Sequence, residues 1–368
     1  MELRLRSPSL SALLTVIFRE MGGNLLKPDS FTPVPLNSGS VEIASKSLPY
    51  IRRRKGWLLA LLSVLLLLFS LGMAFHAYIA WTLARPHIDP LSSNPSAAFG
   101  ASYEDVTFPS LNESSELSGW YIPAASRLAG TDIQRQTIVF SHGYGGNREE
   151  IWVPLYDLAK AAHRLGYSVL MFDYGYVQPQ WNVTGGLRES QELLGAVKYA
   201  KDRGAERVYI WGFSMGAGTA LQASLQSKDI DGMILDSTFV LEPETLYHNM
   251  KQAANVPKIS QSLVHMFFPI INGVSLNQIP YQKVKETAYS IPIFFIHSKK
   301  DVRAPYEMIQ GIFTKQRADS GSSLWLLEDD GHELIYRAHK KTYLQMTTGF
   351  LKSLSTAPAD PIKFGTSR

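Results

Sequence analysis

Hydrophobic and polar positions change their period repeatedly after residue 101, and each change marks a predicted element. Short runs dense in β-branched and aromatic residues predict eight strands, with helically spaced segments between most of them. The strand sequences are YEDVTF, LSGWYI, TIVFSH, SVLMFD, RVYIWG, GMILDS, IPIFFIH and SLWLLE. This alternation predicts an α/β fold with a mostly parallel, doubly wound sheet flanked by helices. The first two strands have no helix between them, so we expect them to form an antiparallel hairpin at the sheet edge.

The longest gap between two predicted strands covers residues 239–290 and is rich in Leu, Phe, Met and Tyr. We expect a small helical cap there, over the edge where the carboxyl ends of the strands meet, because ligands bind at that edge of such sheets. An ordinary pair of long helices is the alternative. The body is expected to occupy residues 101–353, and residues 354–368 to form a C-terminal tail.

One long apolar segment precedes the body. Residues 56–84 contain no Asp, Glu, Lys or Arg, and a helix of this length crosses the roughly 30 Å hydrocarbon core of a bilayer. Four basic residues at 52–55 precede it and only Arg85 follows closely. The positive-inside rule therefore predicts a single-pass anchor, residues 52–84, with a cytoplasmic N-terminus and the body outside. A cleaved signal peptide is the alternative, although the run is longer than a usual signal core and no clear A-x-A site follows.

Two segments flank this span. Residues 1–51 contain the apolar run SALLTVIF, which is too short to cross a bilayer, and then a Pro/Ser/Asn-rich stretch. They predict a disordered cytoplasmic tail without an assignable role, unless translation starts at Met21 or later. Residues 85–100, RPHIDPLSSNPSAAFG, predict a linker that holds the body off the membrane.

Charge and cysteine content exclude several classes of function. Of 36 Lys and Arg and 32 Asp and Glu, residues 1–55 hold nine and four, so the remainder of the chain is nearly neutral. A nucleic-acid surface would need clustered basic residues on one face, so no nucleic-acid partner is expected. The chain has no cysteine, which excludes disulfides, thiolate nucleophiles and cysteine-based metal sites.

The first candidate for chemistry is a serine at the junction of a strand and a helix. In RVYIWGFSMGAGTALQ, residues 207–222, the chain is strand-like before Ser214 and helically spaced with small residues after it. Gly212 and Gly216 flank the serine where a side chain would collide with backbone in a sharp turn. Such a turn holds one hydroxyl out at the edge of the sheet. An ordinary helix N-cap is the alternative for Ser214.

A serine hydroxyl is a weak nucleophile, so it needs a base and an oriented group behind that base. His332, in EDDGHEL, and Asp301, in HSKKDVRAP, each follow a predicted strand. A histidine with a pKa near 6.5 can accept the serine proton at neutral pH and return it to a leaving group. Asp236, at the end of GMILDS, is the alternative carboxylate. His142, in SHGYGG, is expected to shape the backbone.

These motifs, in the order Ser, Asp, His, resemble the α/β-hydrolase family. GFSMG resembles its nucleophile elbow, HGYGG its oxyanion loop, HSKKDVRAP its acid turn and GH its histidine turn. Residues 101–353 are similar to bacterial, single-span, esterase- or lipase-like members. The resemblance implies Ser214 as nucleophile, His332 as general base and then acid, and Asp301 as the carboxylate that orients the imidazole. The loop FDYGYVQPQWNVTGG is longer than its counterpart in many relatives.

The motifs also place two oxyanion donors, the backbone amides of Met215 and Tyr144. The expected protein is a membrane-anchored serine hydrolase that cleaves small-molecule carboxylic esters through an acyl-enzyme. A serine peptidase or amidase with the same triad, and a non-catalytic binding protein, are the alternatives. HELIY lacks the second histidine of a zinc-binding H-E-x-x-H motif, and no P-loop or G-x-G-x-x-G is present. No metal or cofactor is therefore expected.

Overall fold

The structure is a computed structural model that describes residues 51–124, 135–150 and 152–356. Its backbone divides into two compact units, residues 1–61 and 62–368. In the first unit, the described residues 51–61 are helical. The second unit contains every described strand. The tail predicted for residues 1–51 lies outside the described residues except for its last position, and so does most of the tail predicted for 354–368.

The first helix, α1 (Ile51–Leu83), contains the segment predicted to span a membrane. Among the described residues, its portion Gly56–Leu83 is the one continuous helix that is long and apolar enough to cross a bilayer. The most apolar stretch of this portion has no buried residue. Leucine predominates there, and its unbranched Cβ suits a helix.

Eight strands form a single sheet. Their order is β1-β2-β4-β3-β5-β6-β7-β8, with β1 antiparallel to β2, β2 antiparallel to β4, and all other neighbours parallel. The predicted antiparallel hairpin therefore lies at the sheet edge. The strands are β1 (Glu104–Pro109), β2 (Glu116–Ile122), β3 (Gln136–Ser141), β4 (Ser168–Phe172), β5 (Arg207–Phe213), β6 (Gly232–Asp236), β7 (Ile293–Ser298) and β8 (Ser323–Leu327).

Helices cover both faces of the sheet, as the α/β prediction required. Alternate strand residues point to opposite faces: Val139 packs in one core cluster, and Ile138 and Phe140 pack in the other. The helices besides α1 are α2 (Pro95–Phe99), α3 (Leu155–Arg164), α4 (Leu187–Asp202), α5 (Met215–Ser224), α6 (Pro243–Ala254), α7 (Ile259–Asn272), α8 (Tyr281–Glu286), α9 (Tyr306–Thr314) and α10 (Ile335–Thr356).

The segment 239–290 contains helices α6, α7 and α8, and it has a separate apolar cluster of its own. Leu246, Val264 and Phe268 belong to this cluster, together with Ala80 and Ala84 from the end of α1 and the residue after it. We call residues 239–290 the cap below. The cap packs against the last turns of α1.

The prediction of a spacer at residues 85–100 needs a correction, because this segment packs against the body. Its residues include the short helix α2, and Pro95 is buried. The backbone N–H and hydroxyl of Ser92 donate to the Glu149 carboxylate at 2.6 and 2.7 Å, and Asn147 Nδ2 donates to the carbonyl of Asp89 at 2.8 Å. Buried polar groups need hydrogen-bond partners, and residues 85–100 supply donors to Glu149 and an acceptor to Asn147.

Candidate active site

Ser214 lies in the turn between β5 and α5, at the edge where the parallel strands end. Its backbone has φ +48° and ψ −116°, a conformation that L-residues rarely adopt. The serine N–H donates to the carbonyl of Asp236 at 2.9 Å, and its carbonyl accepts from the N–H of Phe239 at 3.0 Å. These bonds fix the turn to the end of β6.

Close packing explains the two glycines beside the serine. A Cβ on Gly216 would lie 2.2 Å from the carbonyl oxygen of Ser141, and one on Gly212 would lie 2.8 Å from the Cα of Ala217. Real Cβ atoms do not approach backbone so closely. The turn therefore requires glycine at both positions, which is the steric reason anticipated from the sequence.

The structure brings Ser214, His332 and Asp301 into one hydrogen-bonded chain. His332 Nε2 lies 2.8 Å from Ser214 Oγ, and His332 Nδ1 lies 2.6 Å from Asp301 Oδ2. A carboxylate only accepts, so Nδ1 carries the proton and Nε2 is free to accept the serine hydroxyl proton. Ser214 is 7% exposed, which leaves the hydroxyl reachable from one side.

His332 and Asp301 shift the pKa values of each other. Burial lowers the pKa of His332, but the hydrogen bond and the charge of Asp301 raise it by more, so it lies above the ordinary value of 6.5. Burial raises the pKa of Asp301, whereas the hydrogen bond and the charge of His332 lower it by more, so it lies below 3.8. Asp301 is therefore ionised at neutral pH.

The alternative carboxylate, Asp236, is engaged elsewhere. Its Oδ2 accepts from Tyr343 Oη at 2.8 Å and its Oδ1 accepts from Ser237 Oγ at 2.9 Å. Burial raises the pKa of Asp236 to about 7. Ser237 Oγ in turn accepts a hydrogen bond, 3.0 Å long, from the N–H of Glu333, the residue that follows His332. Asp236 thus supports the histidine loop through Ser237 and makes no hydrogen bond to the imidazole.

His297, which ends β7, is a fully buried neighbour of the acid turn. Its Nε2 donates to the carbonyl of Ala304 at 2.9 Å, and burial lowers its pKa. The N–H groups of Arg303 and Ala304 both donate to Asp301 Oδ1 at 2.8 Å. Two backbone amides therefore hold the Asp301 carboxylate, and His297 holds the acid turn through the carbonyl of Ala304.

The loop after β3 carries the predicted oxyanion donor Tyr144. The carbonyl of Gly143 accepts from Tyr176 Oη at 2.8 Å and from His142 Nδ1 at 3.0 Å, and burial lowers the pKa of His142 to about 4. In a trans peptide the next N–H points opposite to this carbonyl. The amide of Tyr144 is therefore directed away from Tyr176 and His142. A Cβ on Gly143 would lie 3.5 Å from Ser214 Cβ, so this peptide borders the nucleophile.

Glu333 is a nearby group that the sequence analysis did not single out. Its Oε1 is buried and has no hydrogen-bond partner among the described residues. A Cβ on Gly143 would lie 2.6 Å from this oxygen. Burial raises the pKa of Glu333, and the charges of His332 and Arg303 oppose that rise. The only sequence signal for Glu333 was its position directly after His332.

A cavity of about 140 Å³ adjoins Ser214. It is lined mainly by apolar side chains from the cap, from the loop after β4 and from the end of α1. The lining also includes both predicted oxyanion residues, Tyr144 and Met215. Its apolar members are Leu83, Val183, Met215, Phe239, Leu241, Leu246, Phe268 and Leu276. A cavity with such a lining suits an apolar group.

Comparison with known proteins agrees with this architecture. A family model described as "alpha/beta hydrolase fold" matches residues 136–278. The chain has the alpha/beta-hydrolase fold. An esterase of Pyrococcus furiosus has a similar structure, with a TM-score of 0.58, 24% identity, and coverage of 74% of this chain and 98% of the esterase.

Curated relatives of this chain include lysophosphatidylserine lipases named ABHD12. The Danio rerio protein is 26% identical over 187 residues, which are 46% of this chain and 44% of that protein. The Rattus norvegicus protein is 26% identical over 183 residues, which are 46% of this chain and 43% of that protein. The match thus spans less than half the length of these relatives. Both relatives are animal proteins, and the bacterial subtype expected from the motifs stays a prediction.

Proposed function

We propose that this protein is a membrane-anchored serine hydrolase that cleaves carboxylic esters of single-chain lipids through an acyl-enzyme. The observation that carries the proposal is the chain of hydrogen bonds, 2.8 Å and 2.6 Å long, from Ser214 Oγ through His332 to Asp301. The apolar cavity beside Ser214 supports an acyl chain as the group bound there. The lysophosphatidylserine lipases among the relatives support a lipid ester as substrate.

In the proposed mechanism, Ser214 Oγ attacks the ester carbonyl carbon while His332 Nε2 takes the hydroxyl proton. The carbonyl oxygen becomes an anion and accepts from the amides of Met215 and Tyr144. The tetrahedral intermediate then expels the alcohol, which takes the proton from His332, and leaves the acyl group on Ser214. Water repeats the sequence with His332 as base, which releases the fatty acid and restores the serine.

The same proposal places the catalytic unit at a membrane surface. The apolar portion of α1 has 28 residues, about 42 Å at 1.5 Å per residue, and the hydrocarbon core is about 30 Å thick. Roughly eight residues of the helix therefore extend beyond the core. The end of α1 packs on the cap, and Leu83 lines the cavity. We place the N-terminus in the cytoplasm and the catalytic unit outside, because the basic residues precede the helix.

A fluorophosphonate probe tests the nucleophile. Full-length protein in neutral detergent is expected to become labelled at Ser214, and Ser214→Ala is expected to lose the label. Ser227→Ala, at a half-buried serine after α5, is the control and is expected to label like the wild type. Folded wild-type protein that does not label would leave a non-catalytic binding protein as the function.

Paired substrates test the reaction class. We expect p-nitrophenyl esters of fatty acids to be hydrolysed much faster than aminoacyl p-nitroanilides. The reverse preference would make the protein a serine peptidase or amidase.

Because the chain has no cysteine, single cysteines at Ser7 and Ser227 can report topology with a membrane-impermeant maleimide on intact cells. We expect labelling at position 227 alone, and labelling at position 7 alone would reverse the proposed orientation.

A further inference from the structure

The mouth of the cavity contains a cation that the proposed mechanism does not use. Of the described residues that line the cavity, Arg303 is the one with a formal charge at neutral pH. Its neighbours in the lining are apolar side chains and the polar groups of Tyr144, Ser214 and Asn249. Arg303 is exposed, so its guanidinium stays hydrated and can be reached by an anion at the edge of the cavity.

The backbone of Arg303 is fixed from two sides. Its N–H donates to Asp301 Oδ1 at 2.8 Å, and its carbonyl accepts from Asn249 Nδ2 on α6 at 2.8 Å. The preceding carbonyl, of Val302, accepts from His248 Nε2 on the same helix at 2.8 Å. The acid turn and the cap therefore hold this segment between them, and the position of the Arg303 backbone relative to Ser214 is set by the fold.

The guanidinium of Arg303 forms no ion pair with a described residue, although its charge acts on the buried Glu333 carboxyl from a longer distance. The two lysines that precede it in the acid turn are paired, Lys299 with Glu328 at 2.6 Å and Lys300 with Asp329. No carboxylate of a described residue lies within 4.0 Å of the Arg303 guanidinium, which forms no ion pair in the part of the chain that the structure describes. Arg303 is thus available to a bound anion.

We propose that Arg303 binds the anionic headgroup of a single-chain lipid ester while the acyl chain occupies the apolar cavity next to Ser214. This inference rests on the proposed function and narrows its substrate class from lipid esters to anionic ones. The planar guanidinium can donate two parallel hydrogen bonds to a phosphate or a carboxylate. Arg303 could bind the phosphate or the carboxylate of a headgroup in the same way. The experiment below distinguishes these two ligands.

The test compares esters that share one acyl chain. Full-length protein in neutral detergent micelles is assayed with 1-oleoylglycerol, oleoyl lysophosphatidylglycerol and oleoyl lysophosphatidylserine. The readout is the ratio of kcat/KM for each anionic ester to kcat/KM for the neutral 1-oleoylglycerol. Hydrogen bonds to charged groups suggest that Arg303→Ala lowers this ratio about 10- to 100-fold. Arg303→Lys is expected to restore part of the ratio, and Arg303→Glu to lower it further.

Lys300→Ala is the matched control, because it removes a positive charge from the same turn but Lys300 does not line the cavity. We expect it to keep the wild-type ratio. Fluorophosphonate labelling and the Tm of each variant report whether it is folded. Equal losses of the ratio for both anionic esters assign the phosphate as the ligand, and a loss confined to lysophosphatidylserine assigns the carboxylate.

Two results would overturn the headgroup assignment: an Arg303→Ala ratio equal to that of the wild type, or an equal fall of the ratio in Lys300→Ala. Either result leaves the proposed function in place as long as wild-type protein hydrolyses 1-oleoylglycerol. If folded wild-type protein hydrolyses none of the three esters, the proposed function itself fails. The two failures are therefore distinguishable.

Discussion

Ser214 combines a strained backbone with a hydrogen-bonded side chain. A residue held at such a rare φ and ψ costs of order 1–3 kcal/mol, and the surrounding structure must offset that cost. Here the hydrogen bonds to Asp236 and Phe239 hold the turn, and the turn in turn holds Oγ 2.8 Å from His332. Strain at this one residue therefore places the hydroxyl where a base can reach it.

The two buried aspartates are expected to differ sharply in their effect on the proposed reaction. Asp301→Asn keeps the size of the side chain but favours the wrong imidazole tautomer, so we expect kcat to fall about 10⁴-fold. Asp236→Asn is the matched change, and we expect it to cost less than about tenfold, because Asp236 contacts Tyr343 and Ser237. Steady-state hydrolysis of a soluble p-nitrophenyl ester checks both. A larger loss in Asp236→Asn would exchange their roles.

The pH profile of the proposed hydrolase follows from His332. Only its neutral form can accept the serine proton, so kcat/KM is expected to rise with pH as His332 deprotonates. The midpoint should lie above 6.5, because Asp301 outweighs burial in setting the pKa of His332. In Asp301→Asn, burial remains and the negative partner is lost, so the midpoint should move to lower pH. A wild-type midpoint below 6.5 would contradict this electrostatic account.

Among the elements, the loop after β3 is positioned by aromatic residues of the loop after β4. Tyr176 Oη donates to the carbonyl of Gly143 at 2.8 Å, and this carbonyl shares a peptide plane with the proposed oxyanion donor, Tyr144 N–H. Tyr176→Phe keeps the ring and removes this bond. We expect kcat to fall about 10- to 100-fold with KM little changed. An equal change in KM would indicate that Tyr176 shapes the cavity and does not position the donor.

The start of α5 tolerates no side chain on the face that meets β3. Gly216→Ala would place a Cβ 2.2 Å from the Ser141 carbonyl oxygen, so we expect a loss of about 1–3 kcal/mol in the free energy of unfolding together with loss of fluorophosphonate labelling. Gly311→Ala is the matched control in α9, where a Cβ would meet nothing within 4 Å. It should stabilise by about 0.5–1 kcal/mol. Equal effects at both glycines would contradict the steric explanation.

Elements with strong local patterns were predictable from the sequence, and contacts between distant segments were not. The runs around Ile210 and Phe295 predicted buried strands correctly, because period and β-branching are local properties. Ser214, Asp301 and His332 could be proposed together, because the ends of parallel strands meet at one edge.

The sequence analysis missed Arg303 and Glu333, because their placement depends on the cap and on the loop after β3. Residues 85–100 were misassigned because hydrogen bonds from Ser92 leave no periodic signal.

At the scale of the second unit, the end of α1 forms part of the candidate active site. The last carbonyls of a helix have no partner within it. Here Leu83 O accepts from Tyr144 Oη at 3.1 Å, Ala80 O accepts from Asn272 Nδ2 at 2.9 Å, and Ala84 O accepts from the N–H of Val183 at 2.8 Å. The helix end is thus capped by the loop after β3, the cap and the loop after β4, which all border one cavity.

Asn272 is central to this junction, and its replacement tests whether the helix end shapes the cavity. Its Nδ2 donates to Ala80 O, its Oδ1 accepts from Arg85 at 2.6 Å, and it is 8% exposed. Asn272→Ala leaves buried groups unpaired, which costs about 1–3 kcal/mol. We expect faster amide hydrogen exchange at residues 80–85 and a higher KM for long-chain esters, because Leu83 lines the cavity, with less effect on acetate esters.

Asn277→Ala, at an exposed asparagine of the same cap, is the matched control and should change neither measurement. If Asn272→Ala raises exchange at the helix end but leaves the KM for long-chain esters unchanged, the helix end is only attached to the cap and does not shape the acyl site. If exchange and KM rise together, the helix that we propose as the membrane anchor also forms a wall of the proposed substrate cavity. The depth of the proposed anchor and the reach of the acyl chain would then be set by the same hydrogen bonds, since Leu83 lines the cavity and Asn272 binds the same helix end.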